Sequence, residues 1–237
     1  MSVSSAAPGG HQLALNVHLR DDATLDNFLA TESVAPLLPQ LRQQLEPCGE
    51  PVIFLHGAGG SGKSHLLQAS CHLAGEGALY LPLAELLDHP PDAVLADMEN
   101  LALVCLDDLQ AVAGDETWEQ ALFHFFNRAR AAGCRLLLAA DAAPRHLAVQ
   151  LADLRSRLGW GIVYHLPDSD DEHKCRVLAF RAGRRGLQLP PEVARFIVVR
   201  APRALPELLD ILALLDRHSL AEQRALTVPF VKRVLDW

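Results

Sequence analysis

The sequence predicts an α/β fold, a parallel sheet flanked by helices, followed by a small all-α domain. Three observations carry this reading. Apolar runs alternate with helical patterns as far as Leu166, and that alternation calls for parallel strands joined by right-handed crossovers. One such run, residues 51–56, leads straight into Gly57-Ala58-Gly59-Gly60-Ser61-Gly62-Lys63-Ser64. This is a complete G-x-x-x-x-G-K-[ST] phosphate-binding loop in its strand–loop–helix setting. From Ser169 onward the strand patterns cease and only helical ones remain.

Residues 1–10 are small and polar and predict a disordered leader. An apolar hexapeptide, Gln12-Leu13-Ala14-Leu15-Asn16-Val17, follows it. Val34, Leu37, Leu38, Leu41 and Leu45 mark a helix between about 33 and 45. Beyond the phosphate loop, Leu66, Leu67, Ala69 and Leu73 share one face of a helix, and residues 77–81 read as a second strand. Residues 84–99 are broken by Pro90-Pro91 and contain neither Lys nor Arg.

A third strand, 101–106, ends in Asp107-Asp108. Asp115 is the expected N-cap of a long helix whose apolar side carries Trp118, Leu122, Phe123 and Phe126. Residues 134–140 form a fourth strand closed by Asp141, 151–158 a short helix, and 161–166 a fifth strand. Helical patterns then cover about 169–185, 191–200, 205–218 and 227–236, separated by Gly186, Pro190-Pro191 and Pro202. The expected organisation is a tail at 1–17, an α/β domain at 18–167 and an all-α domain at 168–237.

Composition bounds the function. Half of the 237 residues are hydrophobic and 21% charged, as in ordinary globular proteins. No apolar run approaches the roughly 18–20 residues that cross a bilayer, and residues 1–10 lack the layout of a secretory signal. The five cysteines show no C-x-x-C pair, and Cys105 and Cys134, inside apolar runs, read as small core residues of a reduced cytoplasmic protein. The eleven histidines show no metal-ligand spacing. Residues 1–168 carry a net charge of −11 and residues 169–237 one of +3. That balance argues against sequence-specific DNA binding, which needs a basic face.

The phosphate loop assigns roles by chemistry. Gly57, Gly59, Gly60 and Gly62, with Ser61, allow a backbone that turns its N–H groups toward phosphate oxygens. Lys63 is placed for the β- and γ-phosphates and the Ser64 hydroxyl for Mg²⁺. Asp107, at a strand tip, is the second Mg²⁺ ligand, directly or through water. Asp108 stands where a residue polarising the attacking water belongs, one methylene shorter than glutamate, so slow intrinsic hydrolysis is expected. Asp141 has two readings, an orienter of water or phosphate and a plain turn aspartate. Arg155 and Arg157 lie about 200° apart on a helix, so they face different targets.

The phosphate loop, Leu103-Val104-Cys105-Leu106-Asp107-Asp108, the helix at 114–127 and Ser156-Arg157-Leu158-Gly159-Trp160-Gly161 together resemble the AAA+ core of the bacterial replication initiator DnaA. Gln12-Leu13-Ala14-Leu15, Arg20-Asp21-Asp22-Ala23-Thr24 and Leu226-Thr227-Val228-Pro229-Phe230-Val231-Lys232 are closer to the Hda family, short DnaA-related regulators, and extend the likeness from about residue 12 to the C-terminus. The resemblance implies an AAA+ core with a helical lid, bound ADP or ATP with Mg²⁺, and negative regulation of replication initiation. It implies docking on the DNA-loaded sliding clamp through Gln12, Leu13 and Leu15, and an arginine finger, Arg157, that acts on ATP held by DnaA. Two positions depart from the family pattern. Asn16 stands where the clamp peptide usually has proline, and Pro206 where a lid arginine would touch the phosphates, leaving Arg203 as its candidate replacement.

Other classes fit less well. A DNA-binding initiator or helicase loader would need a helix-turn-helix domain after the lid and basic residues in 84–99. A P-loop kinase or stand-alone ATPase would need an acceptor pocket rather than an all-α extension. The resident nucleotide and the choice between monomer and homodimer are left open.

Overall fold

The computed structural model describes residues 19–202 and 204–237. After a short segment, α1 (Leu37–Gln43) leads to β1 (Val52–His56) and α2 (Lys63–Ala74). β2 (Ala78–Pro82), the single turn α3 (Pro91–Val94), β3 (Leu103–Asp107) and α4 (Glu116–Ala132) follow. β4 (Arg135–Ala140), α5 (Ala152–Leu158) and β5 (Ile162–His165) complete the sheet region. Four helices end the chain: α6 (Asp171–Arg184), α7 (Pro191–Arg200), α8 (Leu205–Glu222) and α9 (Val228–Leu235).

The five strands are parallel, in the order β2-β3-β4-β1-β5. Both sheet faces are covered, which is why the strands read as unbroken apolar runs. Ile53, Leu55, Cys105 and Leu137 pack with α1 and α2 on one face. Phe54, Val104, Leu106 and Leu138 pack with Trp118, Leu122 and Phe125 of α4 and Leu154 and Leu158 of α5 on the other. Cys105 and Cys134 are buried free thiols, as the sequence predicts, and Cys71 is a third. A separate core holds α6–α9 together around Leu178, Ile197, Leu208, Leu212 and Phe230. Among the described residues no helix is long and apolar enough to cross a membrane.

Several boundaries differ from expectation for local reasons. Turns occupy both ends of the 33–45 segment, leaving a seven-residue helix. Leu73 is exposed, and Cys71 takes its place on the buried face of α2. Asp115 does cap α4, its Oδ1 accepting from the N–H groups of Thr117 at 2.9 Å and Trp118 at 3.0 Å. Such a cap contributes about 1 kcal/mol. Phe123 is only half-buried, and the core side of α4 is Trp118, Ala121, Leu122, Phe125, Phe126 and Ala129.

Register brings the strand ends to a common edge. His56 pairs with Ala140 and with His165, and Pro82 with Asp107. At the opposite edge Gly161 lies against the start of β1, where an added methyl would meet the Val52 carbonyl oxygen at 1.7 Å. Gly161→Ala must therefore push β5 off β1. We expect a loss of about 1–3 kcal/mol, read as a lower urea midpoint. Gly159→Ala, whose nearest neighbour is Ser156 O at 3.7 Å, should stay near wild type. Equal midpoints for the two variants would contradict this packing.

Candidate nucleotide-binding site

The phosphate loop runs from the end of β1 into the first turn of α2. Gly57, Gly60 and Gly62 have φ of 155°, 80° and 97°, the range that excludes side chains. Gly59 has neither a positive φ nor a close neighbour. At Gly62 a Cβ would also meet the Phe28 ring at 2.7 Å, and at Gly57 the Leu166 carbonyl at 2.2 Å. The loop is thus wedged between the segment before α1 and the residue after β5. Lys63 is buried and folds back on the loop, donating to the carbonyls of Gly57 at 2.7 Å and Ala58 at 2.8 Å. Burial pushes its ammonium below the usual range, against the pull of Asp107, Asp108 and Asp141.

Asp107 is fully buried at the tip of β3. Burial raises its carboxyl above the usual range, and hydrogen bonding from the Ser64 and Tyr80 hydroxyls offsets part of that rise. Ser64 and Asp107 thus lie together as two hard oxygen donors beside the loop, a set that suits Mg²⁺ completed by phosphate and water. Asp108 adopts the left-handed conformation, φ 56°, and its Oδ1 accepts from Gln110 Nε2 at 2.9 Å. Gln110 Oε1 in turn accepts from the Asp141 N–H at 3.1 Å. Asp107, Asp108 and Asp141 are therefore brought to one edge of the sheet, the last two tied through a glutamine that the sequence reading passed over.

A cavity of about 200 Å³ opens beside Gly60–Ser64. Its apolar wall is Ala23, Phe28, Leu29, Val177 and Leu209, so the segment before α1 and helices α6 and α8 enclose it with the loop. Pro206, where the family pattern calls for arginine, packs against Gly60 with Cδ 3.9 Å from where a Cβ would stand. Arg203, like Gln12, Leu13 and Leu15, lies outside the described residues.

Residues 20–28 form a strap between α2 and α6. Gln68 Oε1 accepts from the Arg20 N–H at 3.0 Å, and His65 and His72 donate to the carbonyls of Thr24 at 2.9 Å and Arg20 at 3.0 Å. On the other side Asp22 holds Arg181, which is 3% exposed and also donates to the Asn27 carbonyl at 3.1 Å. Burial works to raise the Asp22 carboxyl, but Arg181, Arg20, His65 and Arg185 overcome it and hold it below the usual range. No local signal in the sequence links Arg181 to Asp22, which lie 159 residues apart.

Arg155 and Arg157 diverge as the helical spacing predicts. Arg155 donates to the Val149 carbonyl. Arg157 lies between two rings, its guanidinium carbon 4.7 Å from the centroid of Phe123 and 4.8 Å from that of Trp160. Its Nε is buried without a hydrogen-bond partner among the described residues. Arg130 stacks on Trp160 as well, at 4.5 Å. Arg157 stands just before the turn at Gly161, hence at the edge of the sheet away from this chain's own phosphate loop. Glu119, also unforeseen, accepts from the N–H groups of Gln150 and Leu151 and fixes the start of α5.

The family model for the Hda lid domain matches residues 171–235, and that for the bacterial DnaA ATPase domain matches residues 85–165. An uncharacterized protein of Haemophilus influenzae is 44% identical over 229 residues, covering 95% of this chain and 98% of that protein. The chain belongs to the Hda-like, DnaA-related AAA+ proteins. Among solved structures, domain III of the Thermotoga maritima replication initiation protein DnaA superposes with a TM-score of 0.74 at 22% identity, covering 93% of this chain and 98% of that one. AMPPCP-bound DnaA from Aquifex aeolicus gives 0.67 at 25% identity over 87% of this chain and 69% of that one. The Thermotoga maritima RuvB branch migration motor gives 0.66 at 15% identity, over 90% and 71%, a likeness of fold alone. The Hda-like core thus has the expected AAA+ architecture, a parallel sheet flanked by helices with a helical region after it.

Breaking the strap should show its worth. Arg181→Met takes from Asp22 its most buried partner while Arg20 and Arg185 stay beside it, and we expect a loss of about 1.5–3 kcal/mol at pH 7. Because the folded Asp22 pKa lies below its unfolded value, this stabilisation is present above about pH 4 and lost as the pH falls below it. The gap between wild type and variant in denaturant unfolding should therefore close in acid. A gap independent of pH would contradict the pairing.

Proposed function

We propose that this Hda-like chain is a negative regulator of replication initiation that binds ADP or ATP and stimulates hydrolysis of ATP held by a DnaA-type initiator. The observation that carries this reading is the place of Arg157. It lies at the opposite end of the sheet from the chain's own loop, stacked on aromatic faces, and pairs with no carboxylate among the described residues. A guanidinium in that state can serve a γ-phosphate presented by another molecule. There it would stabilise transition-state charge, an effect of about 10³–10⁵ in rate in other P-loop systems.

Each chain residue has a part in this account. Residues 57–62 offer backbone N–H groups to the phosphates, and Lys63 exchanges the Gly57 and Ala58 carbonyls for phosphate oxygens. The cavity walls of Ala23, Phe28, Leu29, Val177 and Leu209 take the base. The AMPPCP-bound state of the Aquifex aeolicus relative supports adenine as that base. Ser64 and Asp107 would hold Mg²⁺, which supplies charge neutralisation at the phosphates when bound. Asp108, committed to Gln110, fits a weak hydrolase of its own nucleotide. Asp141 stands at the same strand edge, its backbone N–H holding the glutamine and its carboxylate available to orient water or phosphate.

Residues 12–17 dock on the sliding clamp as an extended peptide, with Gln12, Leu13 and Leu15 as contacts, which brings the chain to DNA without a DNA-binding surface of its own. Direct strand binding gains no support from residues 84–99, which lack basic side chains and bury Leu86, Val94 and Leu95 in the core. Such work belongs to the cytoplasm.

Two measurements test the reading. Arg157→Ala should stay folded at assay temperature, with a melting temperature lowered only by the lost stacking on Phe123 and Trp160, and keep its nucleotide, yet lose stimulation of initiator-bound ATP hydrolysis in single-turnover assays with clamp on DNA. Its loss should be far greater than that of Lys174→Ala, a lid cation remote from α5. Stimulation by Arg157→Ala at the wild-type rate would place the finger elsewhere. Lys63→Ala should bind ADP and ATP more weakly by about 1.5–3 kcal/mol in calorimetry, and unchanged affinity would remove the nucleotide site.

A further inference from the structure

Asp107 is gripped from the neighbouring strand. Tyr80 lies on β2, opposite Cys105 of β3, with Leu81 and Pro82 carrying the pairing on to Asp107. Its phenol runs along the two strands and donates to Asp107 Oδ2 at 2.8 Å. Asp107 Oδ1 accepts from the Asp108 N–H at 3.0 Å. Both oxygens of the carboxylate are therefore engaged by groups on two different elements, and its torsion is fixed. Tyr80 is 7% exposed and Asp107 not exposed at all, so water does not replace this bond when it is broken. Tyr80 does not line the cavity.

We propose that Tyr80 is a positioning residue for the divalent cation, acting through Asp107: its hydroxyl fixes the carboxylate so that a free lone pair is aimed toward Ser64. This rests on the reading of residues 57–64 and Asp107 as a nucleotide and Mg²⁺ site. The phenol touches neither nucleotide nor ion. It restricts Oδ2 of a buried carboxylate whose Oδ1 is held by the Asp108 N–H, leaving the carboxylate set toward the Ser64 hydroxyl. Partners of this kind are worth about 10–100-fold in metal affinity. Removing the hydroxyl should thus weaken Mg²⁺ and leave the nucleotide's own contacts intact.

The test uses the full chain and a fluorescent ADP analogue. Its affinity is measured first in EDTA and then across a Mg²⁺ titration, for wild type, Tyr80→Phe, Asp107→Asn and the double variant. Tyr80→Phe should bind the analogue in EDTA as the wild type does, and its Mg²⁺ midpoint should rise about tenfold or more. In the Asp107→Asn background the same substitution should shift nothing further. A Tyr80→Phe midpoint within twofold of wild type, or a full shift that persists without Asp107, would overturn the proposal. Should wild type fail to bind the analogue under either condition, the nucleotide site itself falls, a result distinct from an unchanged midpoint. A second readout needs no substitution at position 80. The chain holds two tyrosines, Tyr80 and Tyr164, so 3-fluorotyrosine labelling gives two fluorine signals, assigned with Tyr164→Phe. The Tyr80 signal should move when Mg²⁺ is added to nucleotide-saturated protein, and a signal that stays in place would overturn the proposal even where Tyr80→Phe does not fold.

Discussion

Parallel pairing of β1 with both β4 and β5 is the constraint on which the rest of this molecule depends. Because every crossover returns the chain to the same edge, all five strands end together. Gly57 begins its loop where Ala140 and His165 stop, and Gly57 N–H donates to the Ala140 carbonyl at 3.3 Å. That edge collects Lys63, Asp107, Asp108 and Asp141 from three different segments. The same pairing sends the turn from α5 into β5 to the other edge, about 13 Å away along a five-residue strand. Arg157 goes with it. One sheet therefore separates the nucleotide the chain can hold from the arginine it can offer, and no flexible device is needed to keep them apart.

Around that sheet, charge does what apolar packing cannot. The helical region has its own core, and its junction with the sheet domain is polar on one side and apolar on the other. Asp22 is the polar half, drawing Arg181 and Arg185 of the α6 region onto the strap that α2 also holds. The apolar half is Pro206 and Leu209 against the loop and cavity. A ligand entering between loop and lid would meet both, so the strap ties the residues just after the N-terminal peptide to the walls of the cavity.

Much of this was legible in the sequence because it is local. The phosphate loop, the aspartates at the end of β3 and the cap at Asp115 depend on residues within a few positions of one another. So does the divergence of Arg155 and Arg157, which follows from helical rotation alone. What was not legible depends on tertiary pairing. Tyr80 meets Asp107 across a strand register, Arg181 meets Asp22 across most of the chain, and Gln110 joins Asp108 to Asp141 by its side-chain length. The spacing of Phe123 predicts a core residue, yet its ring is half open and carries Arg157. Leu73 failed for a similar reason, since α2 outruns the surface it covers and its last turn faces solvent. The chemistry-bearing motifs were thus written in short spacings, while the groups that hold them in place were not.

The central claim is that this chain acts on a nucleotide it does not itself hold, and label partition tests it most directly. The initiator is loaded with α-labelled ATP and freed of excess, then mixed with clamp-loaded DNA and the chain in a large excess of unlabelled ATP. Label then reports the initiator's site alone. The account predicts that label appears as ADP on the initiator only when the chain and the clamp are both present. Labelled ATP that stays intact while unlabelled ATP is consumed would mean that the chain hydrolyses its own nucleotide, and would contradict the account.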